Sequence, residues 1–188
     1  MPRTRTISDD ELLAAARAVF VERGFAASTK EIARRAGVSE ALLFQRYPTK
    51  AELFFSAMVP PAFAVSEQLK KVHSKEEMPS ALEALGFALL DYFRAALPVL
   101  GPLESHPDFE FEEFARRHPQ SSLASMRYEM VEFFRANGAP DPAAASLILM
   151  GTMRSVAQFE RLGAHGGRFP REILARTIRC LWDGVRPR

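Results

Sequence analysis

Apolar and polar positions follow the period of an α-helix along almost the whole chain. Over residues 9–23, Leu12, Leu13, Ala16 and Phe20 fall on one face, three acids (Asp9, Asp10, Glu11) open the segment, and Gly24 follows its end. Acids suit the positive end of a helix dipole and glycine suits the left-handed residue that closes one, so the pattern predicts a first helix there. A second, short helix is expected after Ser28, using Ile32, Ala33 and Ala36 as its apolar face and ending at Gly37. Ser39 is placed to cap a third helix from Glu40 to about Tyr47, which Pro48 stops. A fourth begins after Thr49 with Leu53, Phe54, Ala57 and Met58. Pro60-Pro61 must break or bend it, because proline lacks the amide donor and clashes with the preceding turn, and helix is expected to resume to about residue 72.

Four starts carry the spacing of a capping box, in which a Ser or Thr oxygen accepts the third amide of the first turn and an acid three residues on accepts the cap's own amide. They are Ser8 with Glu11, Ser28 with Glu31, Thr49 with Glu52 and Ser80 with Glu83. Beyond residue 75 the pattern predicts longer helices near 80–96, 107–117, 119–136, 141–162 and 170–183, with Asn137-Gly138 ending one and Asp141-Pro142 opening the next. The stretch 97–108, holding Pro98, Gly101, Pro102 and Pro107, reads as a loop or broken helix. No alternating run of β-branched residues is bounded by hairpin turns. The expected fold class is therefore all-α: an N-terminal three-helix domain over residues 1–50, then a helical bundle over 51–188, about nine helices in all.

Composition narrows the class. The 188 residues are 47% hydrophobic with 15 Phe, too apolar for intrinsic disorder. No run of eighteen uncharged apolar residues is present to span a membrane, and the acids at 9–11 interrupt any apolar core of a secretory signal behind Arg3 and Arg5. Cys180 is the single cysteine, so neither an intrachain disulfide nor a thiolate metal cluster can form, and a reducing, cytoplasmic setting is expected. The net charge of +2 hides an asymmetry, since residues 1–50 hold nine Lys/Arg against six Asp/Glu. That excess alone is weak evidence for a nucleic-acid partner.

Two helices joined by a short turn with glycine, the second amphipathic and capped, make a helix-turn-helix, and residues 29–47 (TKEIARRAGVSEALLFQRY) have that layout. Topology alone serves an ordinary helical hairpin equally well. The decoration tips the balance: Glu40, Ala41, Gln45 and Arg46 would point outward from the second helix, a mixed set suited to base edges and phosphates.

The segments ARAVFVERGF and STKEIARRAGVSEALLFQRYPTKAELF closely resemble the N-terminal DNA-binding domain of the tetracycline-repressor (TetR-like) family of bacterial transcriptional regulators, over residues 8 to about 58. The resemblance implies a dimer on a palindromic operator, the third helix of each subunit in a major groove, and a C-terminal helical domain that binds a small effector and dimerises. It also places Ser28 and Thr29 on phosphates at the start of the second helix, and Tyr47 and Lys50 as the aromatic and the lysine that close the recognition unit. Phe44 stands where the family usually has tyrosine, so it is expected to pack rather than to hydrogen-bond a phosphate. Arg46 replaces a common aromatic or histidine. With Lys30 and Ser39, the candidate DNA-contacting set is Ser28, Thr29, Lys30, Ser39, Glu40, Ala41, Gln45, Arg46, Tyr47 and Lys50. Arg3 and Arg5 form a candidate minor-groove arm. Glu40 is either an acceptor for a cytosine amino group or an acid favoured at a helix start.

In the second domain Phe and Met at helical spacing serve as core or as the lining of an interhelical cavity. Phe87, Phe93, Met126, Met130 and Phe133 are candidate lining, with Tyr92, Arg94, His106 and Tyr128 as polar handles, which favours a bulky, largely apolar effector. Leu147, Ile148, Gly151, Ser155 and Phe159, with Ile173 and Leu174 on the last helix, form the candidate dimer face.

Enzymatic readings find little to use. His73, His106, His118 and His165 lie in four separate segments with no Glu-x-x-His or His-Glu-x-x-His spacing, and no Gly-x-Ser-x-Gly is present. No cofactor is expected. The chain is expected to be a non-enzymatic, ligand-responsive transcriptional regulator, taken as a repressor, whose partners are an operator duplex, a second copy of itself and a small effector, with no membrane. The alternative is a dimeric interaction module that keeps the helix-turn-helix as a scaffold.

Overall fold

A computed structural model describes residues 7–69, 78–119 and 121–185, and all regular structure among them is helical. The α-helices are α1 (Asp9–Arg23), α2 (Thr29–Ala36), α3 (Glu40–Arg46), α4 (Lys50–Ala57), α5 (Val65–Leu69), α6 (Met78–Glu104), α7 (Phe111–Arg117), α8 (Ser122–Ala136), α9 (Pro142–Arg161) and α10 (Arg171–Val185), with a short 3-10 turn at Ala164–Gly166. Two compact units emerge. One takes the described residues up to Pro60 together with Pro98–His118; the other takes the described parts of Pro61–Leu97 and Pro119–Arg188.

In the first unit α1 packs against α2 and α4, and α2 against α3. Leu12, Ala16, Val19 and Phe20 of α1 are buried with Ile32 of α2, Leu43 of α3, and Leu53 and Phe54 of α4. Full burial of each of the larger side chains is worth roughly 2 kcal/mol, and the edge-to-face pair Phe20–Phe54, with ring centroids 5.0 Å apart, locks α1 onto α4. Arg17 adds a polar tie, donating from Nε to the Ala57 carbonyl at the end of α4 (2.6 Å).

Local chemistry explains the helix ends. Ser8 and Glu11 form a complete capping box, as do Thr49 and Glu52, while Ser39 accepts from the Leu42 amide and Asp141 caps α9 ahead of Pro142. Two expected boxes do not form. The Ser28 hydroxyl makes no cap bond, and Glu31 pairs with Arg23 of α1 instead (3.1 Å). Ser80 lies inside α6, which already begins at Met78 and carries Pro79 in its first turn, where a missing amide costs nothing. Gly24 closes α1 at φ 66° and ψ −168°, a region open essentially to glycine, rather than in the left-handed helical well.

The largest departure from the expected pattern is α6, which runs as helix through Pro98 and Pro102 to Glu104 instead of breaking at 97. The prolines are four residues apart, so the missing donors fall on one face. On the other side Ala96, Leu97, Val99, Leu100 and Leu103 are buried, and that burial outweighs the lost bonds. By length and composition α6 could cross a membrane, at a mean hydropathy of 1.3, but 56% of its most apolar window is buried within the protein, as in a core helix. Helix α7 starts at Phe111, later than expected, because His106 organises the preceding turn: its Nδ1 accepts from the Asp108 amide (3.1 Å) and its carbonyl from the Phe109 amide (3.0 Å). Pro60-Pro61 separates α4 from the short α5, a tenth α-helix among the described residues.

In the second unit α9 packs between α8 and α10, and α5 lies on α8. At Gly86 of α6 a side chain would fall onto Ile178 of α10, so glycine permits that close approach. Arg94 of α6 donates to both carboxylate oxygens of Glu160 on α9 (2.7 and 2.8 Å), and Glu160 also accepts from the Phe169 amide (2.9 Å).

Candidate nucleic-acid interface

The α2–turn–α3 unit is built tightly. Gly37 sits at φ 71° at the end of α2, and the Val38 amide reaches back to the Ala33 carbonyl (3.0 Å), the closing bond of a Schellman turn. Leu43, fully buried, fixes α3 by its inner side. The positions one and two residues away from it then turn outward. Ala41, Phe44 and Gln45 are all exposed and, at spacings of three and four, share one face of α3.

Around this face the candidate residues divide by what holds them. Ser28, Lys30 and Ser39 are exposed, as is Arg34, and neither Lys30 nor Arg34 makes an ion pair among the described residues. Thr29 is half-buried and donates its hydroxyl to a carboxylate oxygen of Glu40, joining the first residue of α2 to the first of α3. Arg46 is tied back to Asp9 at the start of α1 (3.0 Å). Tyr47 lies in the same corner: burial first, and the Asp9 charge second, push its phenol above the ordinary tyrosine value, so it remains a hydrogen-bond donor. Lys50 sits with its ammonium 4.7 Å from the centre of the Phe25 ring, a cation–π contact that positions it at the first residue of α4. Arg3 and Arg5 lie outside the described residues.

Phe44, expected from the sequence to pack rather than to hydrogen-bond a phosphate, lies on the exposed side of α3. It is 38% exposed: Leu43 takes the inward direction, and the next side chain is turned by about 100° around the axis of α3, here toward the side that carries Ala41 and Gln45. The signal was available in the 41–44–45 spacing once Leu43 is assigned to the core. Phe44 therefore joins Ala41 and Gln45 as a third outward residue of this face of α3.

The candidate effector residues do not all come together. Tyr92, Phe93, Met126, Met130 and Phe133 are buried in the second unit, and the Tyr92 ring touches Phe63 and Phe93. Phe87 is covered by the Arg171 guanidinium, 3.8 Å from its ring centre. Arg94 is committed to Glu160 and Asp91, and its guanidinium is held above its usual value mainly by the Glu160 bond. Tyr128 is 68% exposed and stands apart from the buried set, since it falls between Met126 and Met130 on the opposite side of α8. His106 belongs to the first unit, buried against the rings of Phe25, Phe54 and Phe55. The end of α6, continuing as helix past Pro98, carries it there.

On the dimer candidates the second unit leaves Leu147, Ile148, Gly151, Ser155 and Phe159 exposed along one side of α9, lining an open apolar groove completed by Phe169. Ile173 is exposed too, whereas Leu174 is buried within the unit.

Comparison with known proteins bears on this arrangement. Residues 12–57 match the model of bacterial regulatory proteins of the tetR family. The chain is 49% identical over 49 residues to the HTH-type transcriptional activator FasR of Mycolicibacterium smegmatis, a match that takes in 26% of this chain and 22% of that protein. Among solved structures, a transcriptional regulator from Rhodococcus sp. Rha1 superposes with a TM-score of 0.70 at 21% identity, over 97% of this chain and 100% of that one. NalD of Pseudomonas aeruginosa, the secondary repressor of the MexAB-OprM multidrug efflux pump, gives 0.58 at 19% identity, over 94% and 95%. At these identities the structures establish the fold alone, and the likeness to the tetR family rests on residues 12–57. The chain resembles the tetR family of bacterial regulatory proteins over residues 12–57, and shares its all-helical fold with solved transcriptional regulators over nearly its whole length.

Proposed function

We propose that this protein is a ligand-responsive transcriptional regulator that binds a palindromic operator as a homodimer through α3 and is released by a small, largely apolar effector. The observation that carries the reading is the outward face of α3, where Ala41, Phe44 and Gln45 stand exposed over a buried Leu43. An amide suits a base edge, and methyl and phenyl groups suit the thymine methyl. Ser28 just ahead of α2, Lys30 and Arg34 on it, and Lys50 opening α4 supply hydroxyl and cationic contacts for the flanking phosphates.

Dimerisation follows from the exposed side of α9. Leu147 is 73% exposed and Ile148 48%, and a contiguous apolar side of this kind is covered when two copies meet about a twofold axis. The buried aromatic and methionine cluster of α6 and α8 is the candidate effector region. An effector that favours one spacing of the two reading heads changes operator affinity by its differential affinity for the two states. Repression is the direction proposed, with the cytoplasm as the site of action.

Fluorescence anisotropy against the gene's own upstream intergenic DNA and a scrambled duplex, over a salt series, tests the reading. Tighter binding to the upstream duplex, with a steep salt dependence and two protomers per site, supports it. Equal, weak binding to this duplex and to every other genomic fragment would leave an interaction module that keeps the helix-turn-helix as a scaffold.

A further inference from the structure

The first unit contains a cavity that neither the reading face nor the candidate effector region uses. It has a volume of about 360 Å³ and lies between the first two turns of α4 and the segment from Asp108 through α7. Its apolar wall is made of the rings of Phe55, Phe109 and Phe114 and the imidazole of His118. Phe109 and Phe114 have ring centroids 5.7 Å apart, and Phe114 and His118 4.6 Å, so the aromatic surface is continuous around one side.

The charged groups at its edge are predominantly negative. Glu52, Asp108, Glu110 and Glu113 line the space, against one guanidinium, Arg117. That guanidinium is already spent on Glu113, whose carboxylate also pairs with Arg116, and the Arg117 bond is the main reason Glu113 is held below the ordinary carboxylate range. One Glu52 oxygen accepts the Thr49 amide (3.3 Å). Asp108 and Glu110 are exposed and make no ion pair among the described residues. Burial, and then the Arg117 charge, hold His118 below the usual histidine value, so near neutral pH it presents a neutral ring. A ligand entering here meets π faces that attract a cation, carboxylates that also attract it, and no unpaired positive charge.

The geometry points to this cavity as a binding site for a small amphipathic organic cation, an amine or quaternary ammonium with an apolar body, lodged between α4 and α7. An organic anion would be repelled by the same rim, and a neutral ligand would gain only the apolar contact. The volume lies at the lower end of what small-molecule sites use, which suits a compact ligand. Because Ala51, Glu52 and Phe55 belong to α4, a cation held against them also biases the helix that begins at Lys50. That regulatory consequence rests on the DNA-reading role of the first unit, whereas binding itself does not.

The test is calorimetric titration of the full-length protein, without DNA, using benzyltrimethylammonium, benzyl alcohol and phenylacetate. The cation is expected to bind saturably at one site per chain, about tenfold tighter than the alcohol, with no measurable binding of the acid. Asp108→Asn combined with Glu110→Gln, both at exposed positions and so neutral for folding, is expected to weaken the cation by about tenfold and to leave the alcohol unchanged. Bound cation should also depress the His118 titration followed by NMR, a readout that locates the ligand. No saturable binding, equal affinity for cation and alcohol, or an unchanged cation affinity in the double variant would each overturn the assignment. Since no duplex is present, these outcomes are independent of whether the protein binds an operator.

Discussion

The hydroxyl of Thr29 donates a hydrogen bond to the carboxylate of Glu40, so the first residues of α2 and α3 are braced against each other across the helix-turn-helix. This favours one of two roles for Glu40. We propose that a carboxylate accepting from Thr29, at the positive end of α3, serves as a brace and a helix-start acid. Glu40→Gln keeps an acceptor for Thr29 and removes a negative charge beside the phosphates. Affinity for all duplexes is expected to rise together by a few-fold, with the ranking of base-substituted operators unchanged. A change of preference confined to one base pair would instead make Glu40 a specificity residue.

Phe44 leads to a prediction about thymine. An exposed phenyl beside Ala41 suits contact with a C5-methyl group. Replacing the contacted thymine by uracil in the bound site should weaken the wild-type protein by about three- to tenfold, and Phe44→Ala should abolish that difference. Uracil scanning of the site measures both, and equal losses in wild type and variant would remove Phe44 from the base-reading face.

Much of the helix-turn-helix was legible in the sequence because its determinants are local. Ser8 with Glu11, Ser39, and Thr49 with Glu52 set helix starts through bonds within one turn, and these formed as the spacing predicts. Where a distant partner competes, local spacing fails. Glu31 leaves its expected capping role for Arg23, and α6 continues through Pro98 and Pro102 because burial of Leu100 and Leu103 overrides a local breaker. His106 shows the same limit at the site level. Its place among Phe25, Phe54 and Phe55 depends on α6 staying helical, which no window around residue 106 reveals.

The apolar side of α9 predicts the oligomeric state. Leu147→Arg with Ile148→Asp introduces charge where both side chains are exposed, so the folded chain is expected to survive with circular dichroism unchanged. Analytical ultracentrifugation should then give monomers in place of dimers. A dimer that persists in the double variant would mean that another surface joins the copies.

The clamp between Arg94 and Glu160 has a pH signature. Glu160 is held below the ordinary glutamate value, first by the Arg94 bond and also by the Phe169 amide. A depressed carboxylate contributes stability that is present above its unfolded value and is lost as pH falls through the lower, folded value. Glu160→Gln should therefore cost about 1–2 kcal/mol near neutral pH, lowering Tm by several degrees. The gap to wild type should close in acid below about pH 4. A gap independent of pH would assign the loss to packing rather than to the ion pair.

Reading of a specific duplex by paired α3 helices is tested by selecting fragments from the genomic DNA of the source organism with purified protein. Enrichment of an inverted repeat is expected, with half-sites about one helical turn apart or a multiple of it, roughly 34–36 Å centre to centre, and loss of that enrichment when Gln45 and Phe44 are both replaced by alanine. Recovery of fragments with no common sequence, or of the same repeat by the double variant, would contradict it.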